Sequence, residues 1–542
     1  MPYNHHNTEE HAVRQSGYLL GYDIGSSSIK ASVIDIQTQK LVASATSPQK
    51  EMDIISLKPG WAEQDPEIWW KHVKLATEML RSQSSVNLHN VRAIGISYQM
   101  HGLVMIGADR KPLANSIIWC DSRAVEIGNQ SFSELGENFC RKNLLNSPGN
   151  FTASKLAWVK QNQPDIYKKI HSIMLPGDFI AMKLTGEIQT TPSGLSEGVM
   201  WDFANHKRSD FLLDFFGFDH RLIPNVVPCF SIQGAVQSDV AAELGLEKGV
   251  PVSYRAGDQP NNALSLNVLE PGEIAATAGT SGVVYGVSDV PVCDKDFRVN
   301  TFAHVNYRPE SPRYGVLLCI NGTGILNRWV RENFCTIGNA AMSYEQMNAE
   351  ARKIPAASDG LLVLPYGNGA ERTLKNKNVH ASFLGLDFSR HGRGHVLRAL
   401  QEGIVFALRY GLDIMKEGGV EIKKVRAGNA NMFKSELFAE VFATVSGAEL
   451  ELYDTDGAQG AARAAGIGCG VYADAREAFQ NLTIIRTVSP DKTLTQCYEG
   501  CFKQWSGALK QVLTGHNSAT KGNPEGIVDD KLTTAHKNVM AS

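Results

Sequence analysis

The sequence predicts an α/β protein of at least two large units facing each other across a cleft. Three observations lead there. At 542 residues the chain is longer than one ordinary core supports, because single cores stop growing near ~250–300 residues. Strand patterns such as "YLLGYDIG" and "IKASVIDI" alternate with helical ones such as "PEIWWKHVKLATEMLRS", the order of an α/β fold. Finally, "YLLGYDIGSSSIKASVID" (18–35) and "GEIAATAGTSGVVYGVSD" (272–289) both read as strand, short Gly/Ser/Thr turn, strand. A duplication of that kind would set two like hairpins on facing walls of one cleft; two unrelated hairpins that share turn chemistry are the other reading.

Composition narrows the ligands. Hydrophobic residues make up 43% and charged ones 20%, with a formal net charge of -3. That balance is globular and gives no electrostatic case for nucleic acid or an anionic membrane, so small neutral or anionic ligands stay open. The nine cysteines are scattered and odd in number, with no CxxC pair, which reads as reduced thiols in a cytoplasmic protein. No run reaches the ~18 apolar residues of a membrane helix, and the first sixteen residues lack a signal-peptide core. Residues 1–16 and 516–542 are polar and aperiodic, the composition of mobile tails; His5-His6 falls in the first of them.

Along the chain, Asp65-Pro66-Glu67 gives a helix an N-cap, a first-turn proline and a first-turn acid. The first hairpin turn is Asp23-Ile24-Gly25-Ser26-Ser27-Ser28, with Lys30 following. Gly25 lets the backbone approach an anion closely, and turn amides with the Ser26 and Ser27 hydroxyls can donate to phosphate oxygens. Asp23 could hold a phosphate-bound Mg²⁺ through water. The second turn, Ala278-Gly279-Thr280-Ser281-Gly282, offers the same donors. A third, Asn321-Gly322-Thr323-Gly324, precedes a helical pattern, and Ala427-Gly428-Asn429-Ala430-Asn431 opens another. In "DGAQGAARAAG" (456–466) the small residues allow either close helix packing or a flat slot for an adenine ring. There is no GxxxxGK[ST] loop and no HExxH site. One acid is conspicuous. Asp258, in "YRAGDQPNNALSLN", stands among small apolar residues, where an ionised carboxylate is hydrogen-bonded, cation-bound or used in chemistry.

The order of these segments resembles the FGGY carbohydrate kinases, and within them the xylulokinases most. "GYDIGSSSIKASVID" is similar to the first phosphate motif and "AGTSG" to the second. "AGNANMFKSELFAEVF" with "DGAQGAA" is similar to the adenosine region, "SYQMHGLV" (97–104) to the Met-His-Gly sugar segment, "IIWCDSRA" to the Trp-x-Asp-x-Arg segment, and "KLAWVKQN" (155–162) to part of a family signature. The resemblance spans about 18–505 and implies two ribonuclease H-like domains of the actin/hexokinase ATPase type around a central cleft. The first domain would be 17–256 and the second 257–515.

It further implies an ATP- and Mg²⁺-dependent kinase whose general base is Asp258, in the Gly-Asp-(Asn/Gln) segment. Met100, His101, Trp119, Asp258 and Gln259 would hold the sugar, with His101 donating to a hydroxyl or carbonyl oxygen. Gly25, Ser26, Ser27, Lys30, Gly279, Thr280, Ser281, Gly322, Gly428 and Asn431 would hold the nucleotide. The expected reaction makes D-xylulose 5-phosphate from D-xylulose; another pentulose or a polyol is the alternative acceptor, and a non-catalytic sugar or nucleotide sensor or an actin-like assembling ATPase the alternative class. A homodimer is among the assemblies the resemblance implies. Four departures from the family pattern stand out: Tyr98 for a small residue and the bulky "DQPNNA", both expected near the sugar, Asn429 inside the adenosine motif, and Asn150 before "FTASK".

Overall fold

A computed structural model describes residues 16–83, 86–337 and 340–519. The first fifteen residues, His5-His6 among them, and the tail beyond 519 lie outside the described residues.

The first sheet comprises β1 (Tyr18–Ile24), β2 (Ile29–Asp35), β3 (Leu41–Ser47), β4 (Val91–Tyr98) and β5 (Val252–Gly257), in the order β5-β4-β1-β2-β3. β1, β2 and β3 form an antiparallel meander, and β4 and β5 add in parallel. The second sheet comprises β6 (Glu273–Ala278), β7 (Gly282–Ser288), β8 (Asn300–Ala303), β9 (Tyr314–Ile320), β10 (Lys424–Gly428), β11 (Leu450–Tyr453) and β12 (Ile484–Val488), in the order β8-β9-β7-β6-β10-β11-β12. Its centre repeats the plan: β6, β7 and β9 form the antiparallel meander, and β10 and β11 add in parallel. The two duplicated hairpins are therefore the first hairpins of equivalent sheets.

The helices that position the site are α1 (Pro66–Arg81), α2 (Thr152–Asn162), α3 (Pro176–Thr185), α4 (Pro192–Glu197), α5 (Asp258–Ser265), α6 (Gly324–Phe334), α7 (Arg393–Glu417), α8 (Glu436–Ser446), α9 (Gly457–Gly468) and α10 (Thr495–Ala519). α1 starts where its sequence says: Asp65 caps it by accepting from the Glu67 amide at 2.9 Å. Trp69, Trp70, Val73, Ala76 and Leu80 form its buried stripe. α10 continues to Ala519, past residue 515, where the sequence expectation ends the folded part. Among the described residues no helix is long and apolar enough to cross a membrane.

α5 and α9 join the halves in equivalent ways. α5 leaves the last parallel strand of the first sheet and leads toward the second; α9 follows the last parallel strand of the second sheet and lies on the first. α9 fits there because its contact surface has almost no side chains. A Cβ on Gly21 would lie 1.9 Å from the Ala458 carbonyl oxygen, and one on Gly95 1.9 Å from that of Ala461. The small residues of "DGAQGAARAAG" thus serve close packing, and the adenine-slot reading of that stretch is set aside: Gly457 to Gly466 are buried against the first sheet and α5. Asn261 Nδ2 on α5 donates to the Gly457 carbonyl oxygen at 2.9 Å, tying the two helices together.

Candidate active site

Asp23 lies near the end of β1, opposite Lys30 on β2 and beside Ser97 on β4. The Ser97 hydroxyl donates to Asp23 Oδ1 at 2.7 Å. Burial outweighs that bond and raises the Asp23 carboxyl above its usual range, with the nearby Asp456 charge adding to the effect. Lys30 Nζ sits 2.6 Å from Asp456 Oδ2, and Asp456 in turn caps α9 by accepting from the Gln459 amide at 3.0 Å. Lys30 therefore clamps the first hairpin to the start of α9. The first turn itself is closed by the Gly25 amide donating to the Ser28 carbonyl at 3.1 Å. Ser27 projects to solvent and Ser26 is half-buried.

Asp258 is the first residue of α5, at the joint between the halves. Burial pushes its carboxyl up to about 7; Asp23 adds repulsion, while the amide and side chain of Gln259 oppose the rise. Gly257 before it has no room for a side chain. A Cβ there would lie 2.5 Å from Glu197 Oε2 and 2.6 Å from Met100 Cγ. The glycine of Gly-Asp-Gln is thus a packing requirement as well as part of a motif.

Met100 is buried and shapes the wall beneath this point. His101 has a left-handed backbone, φ 61°, a conformation that costs a non-glycine residue on the order of 1–3 kcal/mol and is typical of functional sites. Two bonds hold it. Its Nδ1 donates to the Glu197 carbonyl at 2.8 Å, and its own carbonyl accepts from Lys155 Nζ at 2.9 Å. Burial pulls the imidazole down to about 3, and Lys155 adds to the effect, so the ring is neutral. With the proton on Nδ1, Nε2 is an acceptor. This revises the expectation that His101 donates: its free ring nitrogen can only accept. Trp119 is 51% exposed, and its Nε1 donates to Ser26 Oγ at 3.3 Å, linking it to the first hairpin turn.

The second half supplies a cavity of about 420 Å³ lined by Ala278, Gly279, Thr280, Gly324, Asn327, Tyr344, Asn348, Asn431 and Met432 among others. This is room for a nucleoside, with apolar and amide walls. Gly279, Thr280 and Asn431 meet here as the sequence expects. Ser281 is next to the cavity in sequence without lining it, Gly428 ends β10, and Gly322 is buried where a Cβ would lie 1.6 Å from the Pro365 carbonyl oxygen. The Gly324 amide donates to the Gly279 carbonyl at 2.9 Å, fastening α6 to the second hairpin.

Two residues of this centre were not among the candidates from the sequence, although Lys155 begins the "KLAWVKQN" stretch of the family signature. Glu197, 1% exposed, backs Gly257 with both carboxyl oxygens lacking hydrogen-bond partners. Burial raises its carboxyl well above the usual carboxylate range; the Tyr98 hydroxyl opposes the rise, and the Asp258 and Asp178 charges add to it. Lys155 is fully buried, and its Nζ bridges the His101 and Ile118 carbonyls, both at 2.9 Å. It fixes the Met-His turn to Ile118, the residue before Trp119.

The departures also find their places. Tyr98 does not reach the sugar: it is buried, and a Cβ on Gly177 of α3 would lie 2.1 Å from its ring. In "DQPNNA" the extra polarity serves α9 through Asn261. Asn429 is exposed, with its amide donating to the Tyr453 carbonyl at 2.8 Å. The Asn150 side chain donates to the Asp121 carbonyl. Arg123 pairs at 2.7 Å with both Asp121 and Glu63, so the Asp and Arg of "IIWCDSRA" brace the wall behind Trp119.

A two-part α/β fold, with a nucleotide-sized cavity in one half and a half-buried carboxylate at the joint with the other, has the layout of a phosphotransferase that acts on an alcohol. The chain belongs to the FGGY family of carbohydrate kinases: the family's N-terminal domain matches residues 18–265 and its C-terminal domain residues 274–469. The chain is 28% identical over 508 residues to a xylulose kinase of Bacillus subtilis (strain 168), covering 91% of this chain and 99% of that one. It is also 28% identical over 513 residues to an L-xylulose/3-keto-L-gulonate kinase of Escherichia coli (strain K12), covering 92% and 98%. Among solved structures, a xylulose kinase from Rhodospirillum rubrum matches with a TM-score of 0.80 at 25% identity, over 91% of this chain and 99% of that one.

Proposed function

We propose that the protein phosphorylates D-xylulose to D-xylulose 5-phosphate at the expense of ATP, with Asp258 as general base. One observation carries the mechanism: a half-buried carboxylate, pushed up to about 7, begins α5 with Met100 packed under Gly257 on one side and the Asp23 charge of the first hairpin on the other. A base with that affinity for protons is matched to neutral pH. Asp258 accepts the proton of the attacking sugar hydroxyl, His101 Nε2 accepts from a second hydroxyl, and Met100 and Trp119 supply apolar surface. The hydroxyl attacks the γ-phosphate in line with the leaving oxygen. The turn amides of both hairpins face the phosphates, and the second-half cavity takes the nucleoside.

The residues fit a divalent ion. Asp23 and Asp258 repel each other, and the cation beside Asp23, Lys30, is already paired with Asp456. Asp23 would hold Mg²⁺ through water, and the ion would neutralise charge on the transferring group. The sugar assignment rests on the xylulose kinases to which the chain is similar over nearly its whole length.

A coupled ADP assay with Mg-ATP across D-xylulose, L-xylulose, D-ribulose, xylitol and glycerol tests the proposal. Fast turnover on D-xylulose, lost in Asp258→Ala, is the expected result. Turnover on another acceptor alone replaces the sugar and keeps the base; unchanged turnover in Asp258→Ala overturns the base.

A further inference from the structure

We propose that Arg372, from the second half, is a sugar-binding residue that donates to the carbonyl oxygen of an open-chain ketose opposite His101. This inference rests on the sugar kinase reading above.

Arg372 begins the turn Arg372–Leu374. The backbone before it is fixed to the second half: Glu371 accepts from the Asn321 amide at 2.9 Å, and Asn321 Nδ2 donates to the Ala370 carbonyl at 3.0 Å. The side chain, however, crosses to the first half. Its Cζ lies 5.5 Å from the centre of the Phe151 ring. Its Nη2 is 3.4 Å from the position a Cβ would take on Gly149. Phe151 packs edge-on against His101, with ring centres 4.8 Å apart. The guanidinium is thus in the layer that surrounds the His101 ring, and its charge contributes to keeping that ring neutral.

Its own partners are missing. Among the described residues no carboxylate and no carbonyl accepts from the Arg372 guanidinium, whereas Arg123, Arg298 and Arg398 each pair with an acid. A half-buried guanidinium with five N–H donors and none engaged is set up for an oxygen-rich ligand.

The chemistry of the opposite wall says which oxygen. Asp258 and His101 Nε2 are both acceptors, so each takes a sugar hydroxyl as donor. A ketose carbonyl only accepts, and neither of these groups can serve it. Arg372 supplies that donor. A polyol of the same length has a hydroxyl in place of the carbonyl and gains less from it.

The experiment compares wild type with Arg372→Met and Arg372→Lys, using D-xylulose as substrate and xylitol as competitive inhibitor. In Arg372→Met the KM for D-xylulose should rise at least ~10-fold, the loss of one charge-assisted hydrogen bond. The kcat should change less than ~3-fold, the xylitol Ki should hold within ~3-fold, and Arg372→Lys should recover part of the KM. ADP affinity and Tm, unchanged in both variants, show that the fold and the nucleotide cavity are intact. A KM within 2-fold of wild type, or equal weakening of ketose and polyol, overturns the inference. A wild type that phosphorylates a polyol and no ketose overturns it too, and a wild type silent on every acceptor overturns both this and the kinase reading.

Discussion

Replacing Asp258 with asparagine separates chemistry from stability. The amide keeps the shape and removes the base, and a general base is worth roughly 10²–10⁴ in rate, or about 3–5 kcal/mol of barrier. Asp258→Asn should lose that much kcat. It should also melt higher than wild type at pH 8, by a smaller margin at pH 5, and equally only below about pH 4. The folded-state pKa of Asp258 is raised to about 7, so its contribution to stability is fully present below the unfolded carboxylate value and lost as pH rises through about 7. Asparagine never ionises and escapes that loss, by an estimated ~2–5 °C; an equal or lower Tm at pH 8 would contradict the burial argument. In wild type, kcat/KM should fall on the acid side of about 7. His101, held down to about 3, adds no inflection there. Lys155 is lowered to about 7, but the neutral amine still has two N–H groups for its two carbonyl partners. Asp258 was legible as an expensive carboxylate and through its motif. Glu197 was not, because nothing in "SGLSEG" says that tertiary packing will seal both its oxygens away from water.

At the scale of elements, local signals were readable and long-range destinations were not. The Asp65 cap and the duplicated hairpins depend on neighbours in sequence, and the structure has them where the sequence puts them. Where α9 goes depends on a partner hundreds of residues away in sequence: Gly21 and Gly95 in the first sheet make the trough, and Ala458 and Ala461 fill it. Small residues on one helix announce a close approach without naming what approaches. Tyr98 failed for the same reason, since only Gly177 explains where its ring goes. The trough can be tested. Gly95→Ala places a methyl 1.9 Å from the Ala461 carbonyl oxygen, so α9 must move; overpacking of this kind costs ~1–3 kcal/mol or more. Because α9 carries Asp456, the partner of Lys30, the variant should lose both Tm and kcat. Gly419→Ala, at a site with open space around it, controls for loss of glycine, although its positive φ adds a small strain. Full activity in Gly95→Ala would mean that the contact between α9 and the first sheet is slack.

For the molecule as a whole, the split of labour across two joined halves predicts how wasteful hydrolysis is avoided. The nucleoside cavity belongs to the second half, the Met-His turn and Trp119 to the first, and Asp258 stands at the joint. α5 and α9 both link the halves and touch each other, so a rotation of one half against the other can pivot there without breaking either sheet. Water is always available as a competing nucleophile, and it would fill none of the proposed sugar-binding surface; a sugar that spans both walls would favour the closed arrangement by its extra contacts. ATP hydrolysis without sugar should therefore be at least ~10²-fold slower than phosphorylation of D-xylulose. D-xylulose with a non-hydrolysable ATP analogue should lower the radius of gyration in small-angle scattering, and either ligand alone should lower it less. Trp119 gives a local readout, because a half-exposed indole on the sugar wall should shift its emission to the blue when the cleft closes, and Trp119→Phe should remove that shift while the scattering change stays. If scattering and fluorescence are both unmoved by the two ligands together, the halves are already in their working arrangement, and discrimination against water must come from Asp258 and His101 orienting the hydroxyl alone.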